Sequence, residues 1–332
     1  MPRYTNDLNL PGPLFAAVVN DPYSRGDSDI SVTQLIDPPR KVALEAEHAM
    51  DIVEDASDRI FSLMGQAVHV VLERANATGI TEKRLATEVE GWKVSGAFDH
   101  MDLHEGTLRD WKVASVWEYV FGLRPEREQQ LNLLAHLARI NGYRVNKLEA
   151  VMIFRDWQKS KARTDDGNYP RKQVEVVEIP MWPVEVPNEF LRARVKLHQV
   201  AQRLAASRMD LIECTDEERW AKPTTYALKK EGRKSAIRVL ASQQEAEEWA
   251  IGAKFARADY ASDEHDRHSV SLERGYSIEE RPGENTRCAM YCSALPFCSQ
   301  AKALGVGEGD WISAATEDAA SDLTNADVGV FA

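Results

Sequence analysis

The spacing of apolar and polar positions changes several times along the chain, and each change marks an element. From Lys41 to Ala77 the spacing is helical. Ile60, Leu63, Met64, Ala67, Val68, Val71 and Leu72 recur at threes and fours and form one broad apolar stripe. Thr87 to Glu90 predicts a first strand with Glu88 and Glu90 on one face, where either glutamate could reach a cation through water. Val94 to Leu103 and Thr107 to Val113 are rich in strand formers, and the polar His104-Glu105-Gly106 between them predicts a hairpin turn. Glu126 to Asn141 is a helix with Leu131, Leu134, Ala135 and Ala138 inward, and Gly142 terminates it. Leu148 to Trp157 is an apolar run suited to a sheet interior, and Val174 to Met181 is a further strand before Pro183 and Pro187 break the chain. Asn188 can cap a helix running to about Met209, and a small strand and helix follow over Ser235–Leu240 and Ser242–Trp249.

The hairpin carries the chemistry. With its turn centred between His104 and Glu105, Asp99 and Asp110 fall opposite each other, about 5 Å apart on one face. Lys112 returns to that face two residues later, while Trp111 points away. Two carboxylates so close repel unless a cation lies between them, and a hard divalent ion such as Mg²⁺ prefers oxygen ligands. An exposed strand with an ordinary cross-strand ion pair would show the same local pattern.

The chain has 332 residues, 43% hydrophobic and 28% charged, which is long enough for a substantial core. No apolar run approaches the ~18 residues of a membrane span, and MPRYTNDLNLPGP lacks a signal-peptide core, so a cytoplasmic protein is expected. The formal net charge of −12 argues against a protein that coats nucleic acid indiscriminately. Against it, Leu191 to Leu240 holds twelve Lys/Arg and six Asp/Glu, and Lys229, Lys230, Arg233 and Lys234 cluster there. A local charge opposed to the global one points to a surface that tracks phosphates, and otherwise to a solvated face. Leu304 to Ala332 has six Asp/Glu and no Lys/Arg, the composition of a disordered acidic tail. Of the four cysteines, Cys288, Cys292 and Cys298 lie within eleven residues and Cys214 lies upstream. Without a signal peptide, this spacing favours a metal centre over disulfides.

Several of these features resemble a known family when taken in order. Gly65-Gln66-Ala67-Val68-His69 on the helix, Gly96-Ala97-Phe98-Asp99, Asp110-Trp111-Lys112 and then Gln130 on the following helix are similar to the PD-(D/E)XK nuclease superfamily, in its RecB-like exonuclease branch. The resemblance implies a metal-dependent DNA nuclease, in its exonuclease form, acting in recombination, repair or phage DNA processing. It implies Mg²⁺ or Mn²⁺ on His69, Asp99, Asp110 and the Val113 backbone carbonyl, with Lys112 and Gln130 completing the catalytic set. It also implies a [4Fe–4S] cluster on Cys214, Cys288, Cys292 and Cys298, with Zn²⁺ as the alternative. The family places a cysteine beside a proline near the N-terminus, where this chain has Asp37 and Pro38, so Cys214 is the candidate for the fourth thiolate. Leu134 stands where relatives carry a tyrosine four residues after the glutamine.

The expected fold is α/β, a PD-(D/E)XK restriction-endonuclease-like core with a central mixed sheet, flanking helices and a C-terminal cysteine-stapled lobe. The expected division is an N-terminal arm over 1–40, a nuclease core over 41–187, a basic helix and cysteine lobe over 188–302, and a tail over 303–332. The expected partner is DNA, single-stranded or at duplex ends, in a bacterial or phage-infected cytoplasm. Two rivals remain open. One is a non-catalytic DNA-binding module, and the other a nuclease subunit active only with a recombination or CRISPR-adaptation partner.

Overall fold

A long strand, β3 (Trp92–Asp102), runs through the centre of the main sheet and divides its edges among three others. In a computed structural model of the chain, residues 3–21, 24–75, 78–165, 167–230, 232–233, 235–255 and 276–307 are described. The N-terminal elements are β1 (Ile30–Ser31), α1 (Val32–Ile36), α2 (Pro39–Glu47), α3 (Ile60–Arg74) and β2 (Ile80–Val89). After β3 come β4 (Thr107–Ala114), α4 (Val116–Val120), α5 (Pro125–Ile140), β5 (Lys147–Phe154), β6 (Val174–Ile179) and α6 (Glu185–Ala206).

β2 covers one edge of β3 in antiparallel register from Ile80↔Met101 to Val89↔Trp92. The other edge is shared. β1 runs parallel to it at Ile30↔Val94 and Ser31↔Ser95, and β4 runs antiparallel to it only over His100↔Arg109 to Asp102↔Thr107. β4 then pairs in parallel with β5, and β5 antiparallel with β6, so the sheet is mixed. The β3–β4 ladder thus stops one step short of Asp99 and Asp110, and the strands part where the acidic residues lie.

The core explains the close packing at this point. Leu131, Leu133, Leu134, Leu137 and Ala138 of α5 are buried with Val94, Phe98 and Met101 of β3 and with Val32 and Leu35 of α1. Gly96 is required here, because an added Cβ would lie 2.5 Å from Leu134 and 2.9 Å from Val32. At the hairpin turn Gly106 has φ +72°, and an added Cβ would meet the Asn146 side chain at 2.7 Å.

Two expectations are corrected. The helical stretch from Lys41 to Ala77 is two helices, α2 and α3, separated by the strand Val53–Asp55 and a 3₁₀ turn over Ala56–Arg59. The Asp55 side chain accepts from the Ser57 backbone N–H at 2.9 Å and caps that turn, which stops one helix from continuing into the other. The basic helix α6 belongs with the first of the chain's two units, Met1–Ile212 and Glu213–Ala332, and not with the cysteines. Its Arg194 and His198 donate to the Leu35 carbonyl at 2.9 and 3.0 Å, satisfying a buried carbonyl at the C-terminal end of α1. Arg192 pairs with Glu90 at 2.8 Å, so these cations have structural partners.

In the second unit Thr225–Lys230, Arg238–Leu240 and Tyr276–Arg281 (β7, β8 and β9) form a three-stranded antiparallel sheet with the helix Gln243–Phe255 beside it. Short helices at Asp216–Arg219, Thr286–Tyr291 and Ser299–Ala303 carry or flank the cysteines. The expected acidic tail lies outside the described residues from 308 onward. No described helix is long and apolar enough to cross a membrane.

Candidate functional site

The hairpin register is the one the turn predicts. His100↔Arg109 is the last recorded pair, and the next step sets Asp99 against Asp110. Where the strands part, Asp99 takes over the missing ladder bond. Its Oδ2 accepts from the Trp111 N–H at 2.6 Å. Both residues are buried, Asp99 to 8% exposure and Asp110 to 2%. Trp111 lies on the opposite face, its ring 6.0 Å from that of His100.

Lys112 approaches Asp110 to 2.8 Å, and its side chain is only 17% exposed. This is a charge-assisted bond in a site of low polarity, stronger than its surface equivalent. Across the gap, His69 on α3 reaches Asp99, with Nδ1 3.7 Å from Oδ1. Burial first, and then the charge of Asp110, push the Asp99 carboxyl well above the usual carboxylate range, while Lys112, His69 and the Trp111 N–H act the other way. Acidic groups held together in this way favour a cation.

Glu82 is the residue that sequence reasoning missed. It sits on β2, and the β2–β3 register sets it opposite Asp99, at the one step between Ile80 and Val89 where no pair is recorded. Its Oε1 lies 3.0 Å from His69 Nδ1. The hydrogen bond to Glu82 raises the His69 pKa most, against the opposing effect of burial. Glu82 has φ +47°, a left-handed conformation that costs a non-glycine residue about 1–2 kcal/mol. Among the described residues, His69, Glu82 and Asp99 bring three potential ligand atoms within 4.8 Å of one another. The two glutamates expected to face a cation have other surroundings. Glu90 pairs with Arg192 and Lys196, and Glu88 is exposed on the ladder opposite Lys93.

Elements around this cluster hold it in place. Arg127 on α5 donates to Glu118 on α4 at 2.8 and 3.2 Å. Burial alone would raise the Glu118 pKa, but the Arg127 guanidinium holds it below the usual range. Gln130 is half-buried one turn beyond Arg127 on the same helix. Val113 continues the β4–β5 ladder opposite Ile153. The donor set of one imidazole and buried carboxylates suits a hard or borderline divalent cation such as Mg²⁺ or Mn²⁺.

The cysteines form a separate cluster in the second unit. Gln300, buried to 8% exposure, clamps Cys214 to the triplet, accepting from the Cys214 N–H at 2.8 Å and donating to its carbonyl at 2.9 Å. Arg219 also donates to that carbonyl at 3.3 Å. Cys298 caps the helix Ser299–Ala303, its Sγ accepting from the Ala301 N–H at 3.5 Å. Burial, then Glu218 and the other three cysteines, push the Cys214 thiol up to about 12. Burial also raises the Cys288 thiol, while Arg219 and Arg287 act the other way.

The basic segment has a mixed environment. Lys229 on β7 pairs with Glu279 on β9, Lys230 is half-buried, and Arg233 is exposed. Lys234 lies outside the described residues.

No known protein family matches the chain, and no curated protein matches it. Several solved structures are similar over part of it, two of them as follows. The crystal structure of SSO0001 is 16% identical with a TM-score of 0.40, covering 61% of this chain and 96% of that one. A phage-related exonuclease from Haemophilus somnus 129PT is 12% identical with a TM-score of 0.32, covering 59% of this chain and 95% of that one.

Proposed function

We propose that the chain is a divalent-metal-dependent deoxyribonuclease of the RecB-like kind, working as an exonuclease. The observation that carries this reading is the meeting of a buried Asp110–Lys112 pair with Asp99 and His69 where two strands part. When bound, Mg²⁺ or Mn²⁺ supplies Lewis acidity at the phosphate and lowers the pKa of water. Asp99, Asp110 and His69 are the proposed ligands, with the Val113 carbonyl beside them. The Trp111 N–H fixes Asp99 in position. Asp110 accepts from the Lys112 ammonium and aims it, so that Lys112 can donate to the oxygen on which negative charge grows. Gln130 would orient the attacking water or the substrate strand.

The cysteines have a separate proposed role. Cys214, Cys288, Cys292 and Cys298 would hold a [4Fe–4S] cluster, or Zn²⁺ in its place, which closes the second unit on itself.

The test uses end-labelled linear and covalently closed circular DNA, with Mn²⁺, with Mg²⁺ and with chelator. An exonuclease degrades the linear form alone, and chelator stops it. Full cleavage in chelator, or undiminished activity in Asp110→Ala protein, would sink the reading. DNA binding without any cleavage would leave a non-catalytic module in its place.

A further inference from the structure

We infer that Glu82 is a direct ligand of the divalent cation, so that His69 Nδ1, Glu82 and Asp99 form one face of its coordination shell. This rests on the nuclease reading and adds to it a residue that reading does not use.

The argument is geometric. The same ring nitrogen of His69 faces both carboxylates, 3.0 Å from Glu82 Oε1 and 3.7 Å from Asp99 Oδ1. Ligands held at about 2.1 Å from a small divalent ion lie about 3.0 Å apart at right angles, and about 3.6 Å apart at 120°. The 3.0 Å separation matches the right-angle value, and the 3.7 Å separation lies just beyond the wider one. A cation bridging His69 and Asp99 must take Nδ1, and Glu82 Oε1 is then already at ligand distance. If Glu82 only fixed the imidazole through an Nδ1 hydrogen bond, that nitrogen could not also serve a metal shared with Asp99. The backbone points the same way. β2 and β3 stay in register on both sides of Glu82, yet at Glu82 the chain is left-handed and the pair with Asp99 is not recorded. Strain held at one step of an otherwise regular ladder is typical of a side chain set for a ligand.

The set also has a consequence for metal choice. An imidazole nitrogen beside two carboxylates favours Mn²⁺ over Mg²⁺, which keeps water and oxygen around it. The chain should therefore bind Mn²⁺ before any DNA is present.

The test is Mn²⁺ binding to the full chain without DNA, followed by loss of the free-ion EPR signal. Wild type, Glu82→Gln, His69→Ala and the double variant are compared. Circular dichroism on each sample checks folding, and Glu82→Asn, which tolerates left-handed backbone, replaces the glutamine variant if that one unfolds. Wild type should bind one Mn²⁺, Glu82→Gln should bind it at least tenfold more weakly, and adding Glu82→Gln to His69→Ala should cost a further tenfold. Wild-type affinity in Glu82→Gln would overturn the inference while leaving the nuclease reading intact. So would a double variant no weaker than His69→Ala, since Glu82 would then act only through the histidine. Wild type that neither binds Mn²⁺ nor cleaves DNA would overturn both.

Discussion

The hairpin cluster and the cysteine cluster both crowd like groups together, the one in a buried place and the other in a half-buried one, and they answer the crowding in opposite ways. In the first, strand register forces Asp99 towards Asp110, and the chain supplies its own cations in Lys112 at 2.8 Å and His69 at 3.7 Å. In the second, four cysteines are gathered on short turns, and the nearby groups raise the Cys214 pKa rather than lower it. A cluster with built-in counter-charges can keep its geometry without a metal. In the second cluster burial raises the Cys214 and Cys288 thiols, and Arg219 and Arg287 offset this at Cys288 only in part. The first region should lose chemistry when a group is removed, and the second should lose stability.

The largest effect that can break this contrast is on catalysis. Asp110→Ala or Lys112→Ala should lower DNA hydrolysis by about 10²–10³-fold or more, because each removes a preorganised charge from the place where transition-state charge develops. Affinity for DNA and the thermal midpoint should change little by comparison. A variant that loses activity only because it has unfolded would place the hairpin with the cysteines, as a stabilising cluster.

Next in size is the cysteine region. Replacing Cys214 or Cys292 by Ser should lower the stability of the second unit markedly while the hydrolysis rate per folded molecule holds. Anaerobically prepared wild type should be brown, with absorbance near ~400 nm from thiolate-bound iron. Colourless protein with one equivalent of zinc would assign the site to Zn²⁺. Four thiols that all titrate freely after native purification would remove the metal centre altogether.

The two regions also differ in how far they could be read from the sequence. Period-two alternation and a polar turn were enough to set Asp99 against Asp110 with Lys112 beside them, because strand geometry leaves no freedom once the turn is placed. The same arithmetic would have found Glu82. Glu90 and Gly91 have φ of +50° and +77°, the pattern of a two-residue type I′ turn, and that turn sets Glu82 opposite Asp99. Glu-Gly is a less common pair at such a turn than Asn-Gly, so the sequence marks this turn only weakly. The clamp of Gln300 on Cys214 joins residues 86 apart through irregular backbone. No periodicity encodes such a contact. Likewise, the positive charge of α6 was legible, but its use of Arg194 to satisfy the end of α1 was not, since that depends on which helices pack together.

A smaller effect tests whether the hairpin site is held by its surroundings. Glu118→Gln should cost about 1–3 kcal/mol in the first unit, the worth of hydrogen bonds to a charged partner. The pH dependence carries the sign. The folded Glu118 pKa is depressed, so its contribution is present above the unfolded value of about 4.3 and is lost as pH falls through the folded pKa. Wild-type stability should therefore drop through this acid window, and the Gln variant should drop less. Parallel curves for the two proteins would show that Arg127 does not hold Glu118 in solution.

The smallest expected effect concerns DNA affinity. Changing Lys229, Lys230 and Arg233 to Glu should weaken binding and flatten its dependence on salt, because fewer counterions are released from the phosphates. A full phosphate contact is worth about 0.9 in the slope of log affinity against log salt. Lys229 already faces Glu279 across the β7–β9 ladder, so part of its charge is spoken for, and Lys230 is half-buried. Arg233 is exposed. The triple change should consequently shift the slope by about one contact rather than three. Arg233→Glu alone should account for most of it, and Lys229→Glu for little beyond the repulsion it creates with Glu279. An unchanged slope would make this segment a solvated face and send the search for phosphate contacts elsewhere on the chain. A slope that falls by three contacts would show that the Lys229–Glu279 pair opens when DNA binds.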